Sequence, residues 1–185
     1  MDLLRKGRAR TEFECFAALH ADGLLRSAYL MAGDRGEAED LVQECLLQLA
    51  RKWPRVRSMT HPGAYGRRVL FNLILDGGPR RARRRIELGA LQTSDGHGDA
   101  EPSTAALEAH VELVRALSGL PARQRAVLVL RYFADLPARE VALILDCSPG
   151  TVKSSTSRGL ERMREALDSA PPLSTADETP PTRGG

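Results

Sequence analysis

The chain has 185 residues, of which 42% are hydrophobic and 4% aromatic, and its formal net charge is +3. This length accommodates one domain or two small ones with aliphatic cores, and no apolar run is long enough to span a bilayer. The three cysteines, Cys15, Cys45 and Cys147, are odd in number and lack CxxC spacing, which argues against a disulfide framework and favours a reducing, cytoplasmic setting.

The first predicted helix follows a short N-terminal extension, residues 1–10. Thr11 and Glu14 have the spacing of a capping box, and Phe13, Phe16 and Leu24 recur at helical intervals. Gly33 is the expected end of this helix.

A second helix is predicted from about Gly36 to Trp53, ending at Pro54. Its apolar residues share one face, which we assign to the core: Ala38, Leu41, Val42, Cys45 and Leu49. Opposite lie Asp40, Gln43, Glu44, Leu47 and Arg51, with Leu47 near the middle. An acidic face with one leucine suits a protein–protein contact. A lone exposed leucine is also ordinary on a helix surface, so the residues alone leave both interpretations open.

Positive charge is concentrated between Arg51 and Arg85, where eleven arginine and lysine residues face a single acid, Asp76. The segment therefore carries +10, and the rest of the chain carries −7. Such a block repels itself unless it meets a polyanion, and nucleic acid is the obvious one. A third helix is expected from Pro62 to Asp76, where Gly77, Gly78 and Pro79 should interrupt it. Interleaved apolar residues favour a folded basic surface over a disordered tail.

Residues 89–104 have no apolar period and many turn formers, so they are predicted to form a flexible linker. The preceding unit then spans 11–88, and a second helical unit spans 105–168, with Pro121 beginning one of its helices. Residues 169–185 contain four prolines and are predicted to be disordered.

The second unit closes with two helices joined by a tight turn. The first is expected over Pro137–Leu145, the turn over Asp146–Ser148, and Pro149 opens the second helix. Helical spacing places Val152, Thr156, Gly159, Leu160, Met163 and Leu167 on one face. The opposite face is assigned Thr151, Ser154, Ser155, Ser157, Arg158 and Arg162. Hydroxyls and arginines without bulky apolar groups suit a helix in a DNA major groove, although an ordinary helical hairpin with a solvated face has the same pattern.

Three segments, taken in order, resemble the extracytoplasmic-function sigma factors, a two-domain group of the sigma-70 family of bacterial RNA polymerase subunits. AEDLVQECLLQLARKW resembles the core-binding segment of region 2, and AYGRRVLFNLILDGGPRRARRR resembles its promoter-reading segment. LPARQRAVLVLRYFADLPAREVALILDCSPGTVKSSTSRGLERMR resembles region 4. The SSTSRGL string is most similar to a subgroup common in actinobacteria, the SigE-like members.

The resemblance implies an all-α fold with region 2 and region 4 as two small helical domains joined by a flexible linker. It implies a chain that binds core polymerase and directs initiation at promoters with −10 and −35 elements. The partners would be the β′ clamp helices and β subunit of the core enzyme and promoter DNA, and an anti-sigma factor is left open. No cofactor, metal or membrane is implied.

The resemblance also assigns roles to individual residues. Core-polymerase binding falls to Asp40, Gln43, Glu44 and Leu47. The loop Val56–Gly63 would capture an unstacked base of the −10 element, and contacts to this element fall to Arg57, His61, Arg67, Arg68, Asn72, Arg80 and Arg81. The −35 element would be read by Thr151, Lys153, Ser154, Ser155, Ser157, Arg158 and Arg162.

Two departures from the family pattern carry expectations of their own. Gly77–Gly78–Pro79 should break a helix that the family usually continues, leaving Arg80–Arg85 to contact phosphates without fixed register. Ser155 and Thr156 replace a more usual arginine and leucine, so the −35 preference should differ from that of the commoner members.

Two other function classes, a stand-alone regulator and an enzyme, would require features of their own. A stand-alone helix-turn-helix regulator would need a dimerisation face or a ligand pocket beside its DNA-binding unit. For an enzyme, His20, His61, His97 and His110 show no metal-ligand spacing, and the sequence has no Gly-rich phosphate loop or nucleophile elbow. The sequence therefore favours a non-catalytic subunit.

Overall fold

The computed structural model describes residues 2–87 and 104–169, with side chains described for 7–77 and 109–169, and all regular structure in these ranges is helical. The first half contains α1 (Asp2–Ala32), α2 (Arg35–Arg51), α3 (Trp53–Val56) and α4 (Pro62–Glu87). The second half contains α5 (Thr104–Ser118), α6 (Ala122–Leu128), a π-helical turn (Val129–Phe133), α7 (Ala138–Ile144) and α8 (Pro149–Asp168). The all-α prediction is confirmed. Among the described helices, none combines the length and apolarity needed to cross a membrane.

The α1–α2 junction is built from two adjacent residues. Gly33 has a φ of +74°, a left-handed conformation that favours glycine just after a helix, and its N–H donates to the carbonyl of Tyr29 at 2.7 Å. Asp34 then caps α2, because its Oδ1 accepts a hydrogen bond from the N–H of Glu37 at 2.7 Å. The predicted end of the first helix at Gly33 is confirmed.

The predicted start of that helix is wrong. Because α1 begins at Asp2, Thr11 lies inside the helix, and its hydroxyl donates back to the carbonyl of Gly7 at 3.3 Å. Glu14 accepts from Arg10 Nε at 2.8 Å and does not cap a helix. The spacing that resembled a capping box therefore reflects ordinary i, i+4 contacts on a helix surface.

Proline and glycine interrupt the first half less than predicted. Pro54 lies in the first turn of α3, where a missing N–H costs nothing. The proline therefore does not end the helical structure: the chain leaves its helix only at Lys52 and resumes one at Trp53. The helix of α4 continues past Gly77, Gly78 and Pro79 to Glu87, which contradicts the predicted break at Asp76. Buried Leu70 and Phe71 already fix the preceding turns, and extending a nucleated helix costs less than starting one.

The helix-turn-helix forms as predicted, with α7 and α8 joined by a turn at 145–148. Two aspartates, Asp135 and Asp146, have φ values of 48° and 51°, which aspartate tolerates better than most residues. Ahead of α7, the N–H of Ala134 donates to the carbonyl of Val129 at 3.0 Å. This wider i, i+5 turn redirects the chain from α6 toward α7.

The cores of the two halves are continuous. Phe71, Leu41 and Leu49 are among the largest fully buried side chains of the first half, and Leu128 and Val152 are among those of the second. All belong to one hydrophobic cluster. α1 packs against α5 and the π-helical turn, and α4 packs against α6 and α7. The predicted linker, 89–104, lies outside the described residues except for Thr104, and so does the predicted tail from residue 170 onward.

Candidate nucleic-acid interface

The second helix of the helix-turn-helix, α8, is fixed at its start and at its middle. Ser148 caps it, with Oγ accepting from the N–H of Thr151 at 3.1 Å. Gly159 is buried on Leu128 of α6. A Cβ added at Gly159 would lie 3.1 Å from Leu128 Cδ1 and 3.2 Å from its Cγ. Together with fully buried Val152, these contacts fix which face of α8 points outward.

The outward face of the first ten residues of α8 carries two cations and several hydroxyls. Lys153 and Arg158 are exposed. The exposed hydroxyls bond locally: Ser154 Oγ donates to the carbonyl of Thr151 at 3.1 Å, and Ser157 Oγ donates to that of Lys153 at 3.3 Å. A ligand acceptor such as a phosphate would have to replace these local bonds to receive the hydroxyl protons, whereas the two cations can contact phosphates or base edges directly.

Two residues assigned to this face lie at its edges. Ser155 is half-buried, because the helical turn places it beside the face that packs on the core. Arg162 is exposed, but its Nη1 donates to Gln124 Oε1 of α6 at 3.1 Å. The predicted reading face is therefore narrower than helical spacing alone suggested, and it centres on Ser154 and Arg158.

The basic helix α4 begins against α1. A Cβ added at Gly63 would lie 2.8 Å from Cε1 of His20, so glycine allows this close approach. The His20 ring packs on Phe16 with centroids 4.6 Å apart. Partial burial and the positive charge of Arg67 both lower the pKa of His20, which favours the neutral imidazole.

The aromatic side chain that begins the basic segment's loop, Trp53, packs into the core beneath it. Trp53 is buried and packs on Phe13 and Phe16, with ring centroids 5.3 and 5.1 Å apart. Because its ring faces the core, Trp53 offers no stacking surface for a base. It fixes the chain just before the loop 56–63.

Four residues assigned to the −10 element lie on or beside α4 and face two depressions. His61, Arg67 and Arg68 line a cleft of about 450 Å³ together with Glu140, Leu143 and Ile144 of the second half; we call it the α4–α7 cleft. Arg68 and Asn72 line a second groove, which Lys52 and Glu44 complete. Exposed Arg68 lies between the two depressions.

Arg57, also assigned to the −10 element, is turned toward α1. Its Nη1 donates to Glu12 Oε2 at 2.7 Å, and Glu12 Oε1 accepts from Arg8 Nε at 3.1 Å. The Arg57 hydrogen bond is the largest influence lowering the pKa of Glu12. Arg80 and Arg81 lie within the helical span of α4, and their side chains fall outside the described set.

The acidic face of α2 lies outward. Asp40, Gln43 and Glu44 are exposed, and 58% of the Leu47 side chain is exposed. On the opposite face Cys45 is fully buried, and desolvation, with a smaller contribution from Glu44, raises its pKa to about 12. Cys45 is thus a neutral core thiol, as predicted. Within the described residues, His, Cys, Asp and Glu form no group that could hold a metal ion.

Comparison with known proteins matches both halves to one family. Residues 16–85 match the model of sigma-70 region 2, and residues 110–163 match that of sigma-70, region 4. A protein of Streptomyces avermitilis called RNA polymerase sigma-E factor is 35% identical over 158 residues, covering 85% of this chain and 86% of that protein. This chain belongs to the extracytoplasmic-function sigma factors of the sigma-70 family.

Other relatives agree with this assignment. The extracytoplasmic-function sigma factor SigL of Mycobacterium tuberculosis is 34% identical over 173 residues, covering 87% of this chain and 93% of that protein. Among solved structures, the sigma factor RpoE of Bartonella quintana, crystallised with the anti-sigma factor NepR, is similar with a TM-score of 0.69 and 25% identity. That similarity covers 85% of this chain and 98% of RpoE.

Several residues that shape the surfaces of this sigma factor had no signal in its sequence. Glu12 holds Arg57 from 45 positions away, and Glu140 and Leu143 form the far wall of the α4–α7 cleft. Glu140 and Leu143 belong to a short amphipathic helix with no unusual spacing. Only the packing of the two halves reveals their position.

Proposed function

We propose that this sigma factor binds core RNA polymerase and directs promoter-specific transcription initiation by recognising −10 and −35 elements. The observation that carries the proposal is the order of the two family matches, region 2 and then region 4, on one chain. It is supported by a helix-turn-helix whose second helix exposes Lys153 and Arg158. In this proposal the chain works in the cytoplasm and performs no chemistry itself; polymerase forms the bonds.

The polymerase contact is proposed for the acidic face of α2. Leu47, exposed at its middle, would enter an apolar pocket on the β′ clamp helices, and Asp40, Gln43 and Glu44 would orient the contact. The exposure of all four side chains on one helix supports this assignment.

The promoter contacts are proposed for α4 and α8. His61, Arg67, Arg68 and Asn72 would hold the separated −10 strand, with Arg57, Arg80 and Arg81 adding phosphate contacts. On α8, Lys153, Ser154 and Arg158 would contact the −35 duplex in the major groove, with Thr151, Ser155, Ser157 and Arg162 at the edges of that contact.

Regulation by a protein partner is proposed from the relatives. The Bartonella RpoE was crystallised with an anti-sigma factor, and its similarity to this chain covers both halves. We therefore expect this sigma factor to have an anti-sigma factor too.

Transcription in vitro tests the function as a whole. Purified chain is mixed with core polymerase and a genomic DNA library, and the start sites of the transcripts are mapped. Start sites that appear only when the chain is present, and share two upstream elements, support the proposal. Tight binding of the chain alone to a palindromic duplex, without any effect on initiation, would indicate a stand-alone regulator instead.

The polymerase interface is tested by Leu47→Asp. A charge in the centre of an apolar contact should abolish detectable binding to core polymerase, which corresponds to an affinity at least about 30-fold lower. The circular dichroism spectrum should stay that of the wild type. Leu19→Asp is the matched control, because Leu19 is 78% exposed on α1. Equal affinity of Leu47→Asp and wild type would refute the interface.

A further inference from the structure

A groove runs along one face of α1, from His20 to Leu30, which is about 15 Å of helix. Its other lining residues come from α4, from α5 and from the π-helical turn, among them Arg67, His110 and Phe133. Its volume of about 650 Å³ is that of a small-molecule site. We call it the α1 groove.

The floor of the α1 groove is open at Gly23. A Cβ added at Gly23 would have no neighbour within 4 Å, and the residue lies inside α1 with a negative φ. Neither packing nor backbone conformation therefore requires glycine there, although glycine inside a helix is destabilising relative to alanine. A bare stretch of helix backbone is what the close approach of a ligand needs.

The charged side chains that line the α1 groove have few protein partners. Asp22 and Arg26 lie four residues apart, but neither forms an ion pair with the other or with any other described residue. By contrast, Arg10 on the same helix pairs with Glu14 at 2.8 Å. Nε of Arg67 is buried, and no described residue accepts a hydrogen bond from it. Because buried donors are normally satisfied, these groups point to a polar ligand.

Rings and apolar side chains complete the lining. Phe133 is 48% exposed, and Leu30 is buried. His110 stacks on Tyr29, with ring centroids 5.6 Å apart and an angle of 3° between the planes. Burial and Arg67 lower the pKa of His20, so this ring adds a neutral polar group. An exposed ring near two guanidiniums suits a planar group that carries an anion.

We propose that the α1 groove binds a nucleoside phosphate. Arg26 and Arg67 would hold the phosphate oxygens, because a guanidinium pairs with phosphate through two parallel hydrogen bonds. Phe133 would stack on the base. Asp22 would accept hydrogen bonds from the ribose hydroxyls, as a carboxylate does in dinucleotide-binding folds. An inorganic anion would leave the ring and the carboxylate unused, and a fatty acid would place its tail beside a charge.

The site is tested on the purified full chain by isothermal titration calorimetry with ADP, since stacking on a ring tolerates any base. The titration uses about 0.15 M salt, which screens exposed charges beyond about 8 Å. We expect saturable binding with a Kd below about 1 mM. Adenosine and pyrophosphate should each bind at least about tenfold more weakly, because each lacks part of the contacts.

Two results of these titrations would overturn the proposal. The absence of saturable ADP binding would show that the groove takes no nucleotide. Equal affinity for ADP and pyrophosphate would show that the chain attracts the charge alone. Neither result depends on polymerase or promoter DNA, so the proposed function is judged separately.

Gly23→Leu tests whether ADP binds in the α1 groove. The added side chain has room in the free protein and would fill the floor, so ADP binding should weaken at least about tenfold. Gly7→Leu is the matched control, because a Cβ at Gly7 on the same helix also has no neighbour within 4 Å. Leucine favours helix over glycine, and circular dichroism checks that both variants fold. Equal ADP affinity in the two variants would overturn the site.

Arg26→Gln is an independent test that leaves Arg67, also assigned to the −10 strand, unchanged. Losing one guanidinium should weaken ADP binding about tenfold, and Arg26→Lys should bind with intermediate affinity because it keeps the charge without the planar fork. Arg123→Gln, at an exposed arginine of α6, is the control and should change affinity less than about twofold. Equal losses in Arg26→Gln and Arg123→Gln would overturn the proposal.

Discussion

The two helices proposed to contact DNA, α4 and α8, differ in what surrounds their outward faces. Each packs closely against a neighbour at a glycine: Gly63 of α4 lies against His20, and Gly159 of α8 lies against Leu128. The outward face of α8 nevertheless lies in solvent with its hydroxyls bonded within the helix. The corresponding face of α4 meets α7, and the nearby Arg57 is bonded to Glu12. The face of α8 therefore lies free in solvent, whereas the face of α4 is lined in part by residues of α7.

The largest effect, on the free energy of unfolding, is expected where Gly159 of α8 packs against Leu128 of α6. Gly159→Val adds three carbons where a single Cβ already lies 3.1 Å from Leu128, itself only 1% exposed. Overpacking should lower the free energy of unfolding by about 3 kcal/mol, measured by urea denaturation. Gly23→Val is the control, since a Cβ there has no neighbour within 4 Å. Equal stability of the two variants would show that close packing at Gly159 does not hold α8 against α6.

Next in size is the loss of a cation from the exposed face of α8. Arg158→Ala should weaken binding to the upstream promoter element by about 1–3 kcal/mol if its guanidinium reads a guanine bidentately. Arg162→Ala should cost less, because that guanidinium is already bonded to Gln124. Fluorescence anisotropy on matched and mutated duplexes measures both. An equal loss on every sequence would mean that Arg158 contacts phosphate only.

A smaller effect is expected at the ion pair between α1 and Arg57, which lies just after α3. Glu12→Gln removes the carboxylate that holds Arg57, so Arg57 becomes available for a phosphate. One added contact should steepen the salt dependence of single-strand binding by a slope of about 0.7. Glu14→Gln is the matched control, because Glu14 pairs with Arg10 on the same helix. An unaltered slope would mean that Arg57 does not reach the strand even when released.

The smallest effect concerns pH. The pKa of His20 is lowered from its ordinary value of 6.5 by burial and by Arg67, so the unfolded chain takes up this proton before the folded chain does. The stability that the neutral ring provides is present above that value and declines as the pH falls below it. Urea denaturation at several pH values should show a shallower decline in His20→Gln than in wild type. Parallel declines would show that His20 does not contribute.

Much of the fold could be predicted because it depends on neighbours in sequence. The buried face of α2, the end of α1 at Gly33 and the turn between α7 and α8 all follow from periodicity and turn chemistry within a few residues. The outward positions of Asp40, Gln43, Glu44 and Leu47 follow from the same periodicity. The errors were also local in origin: an i, i+4 contact resembled a cap at Thr11, and Gly77–Pro79 suggested a break that a nucleated helix passed through.

The amino-acid sequence by itself thus determined the helices, their buried faces and the membership of this chain in the sigma-70 family. Only the tertiary structure decided which surfaces are available. Arg57 is hydrogen-bonded to Glu12 across 45 positions and Arg125 to Met31 across 94, and α7 and α4 together line a cleft. Such pairs leave no trace in local periodicity, because their geometry depends on how two separately predictable units pack against each other.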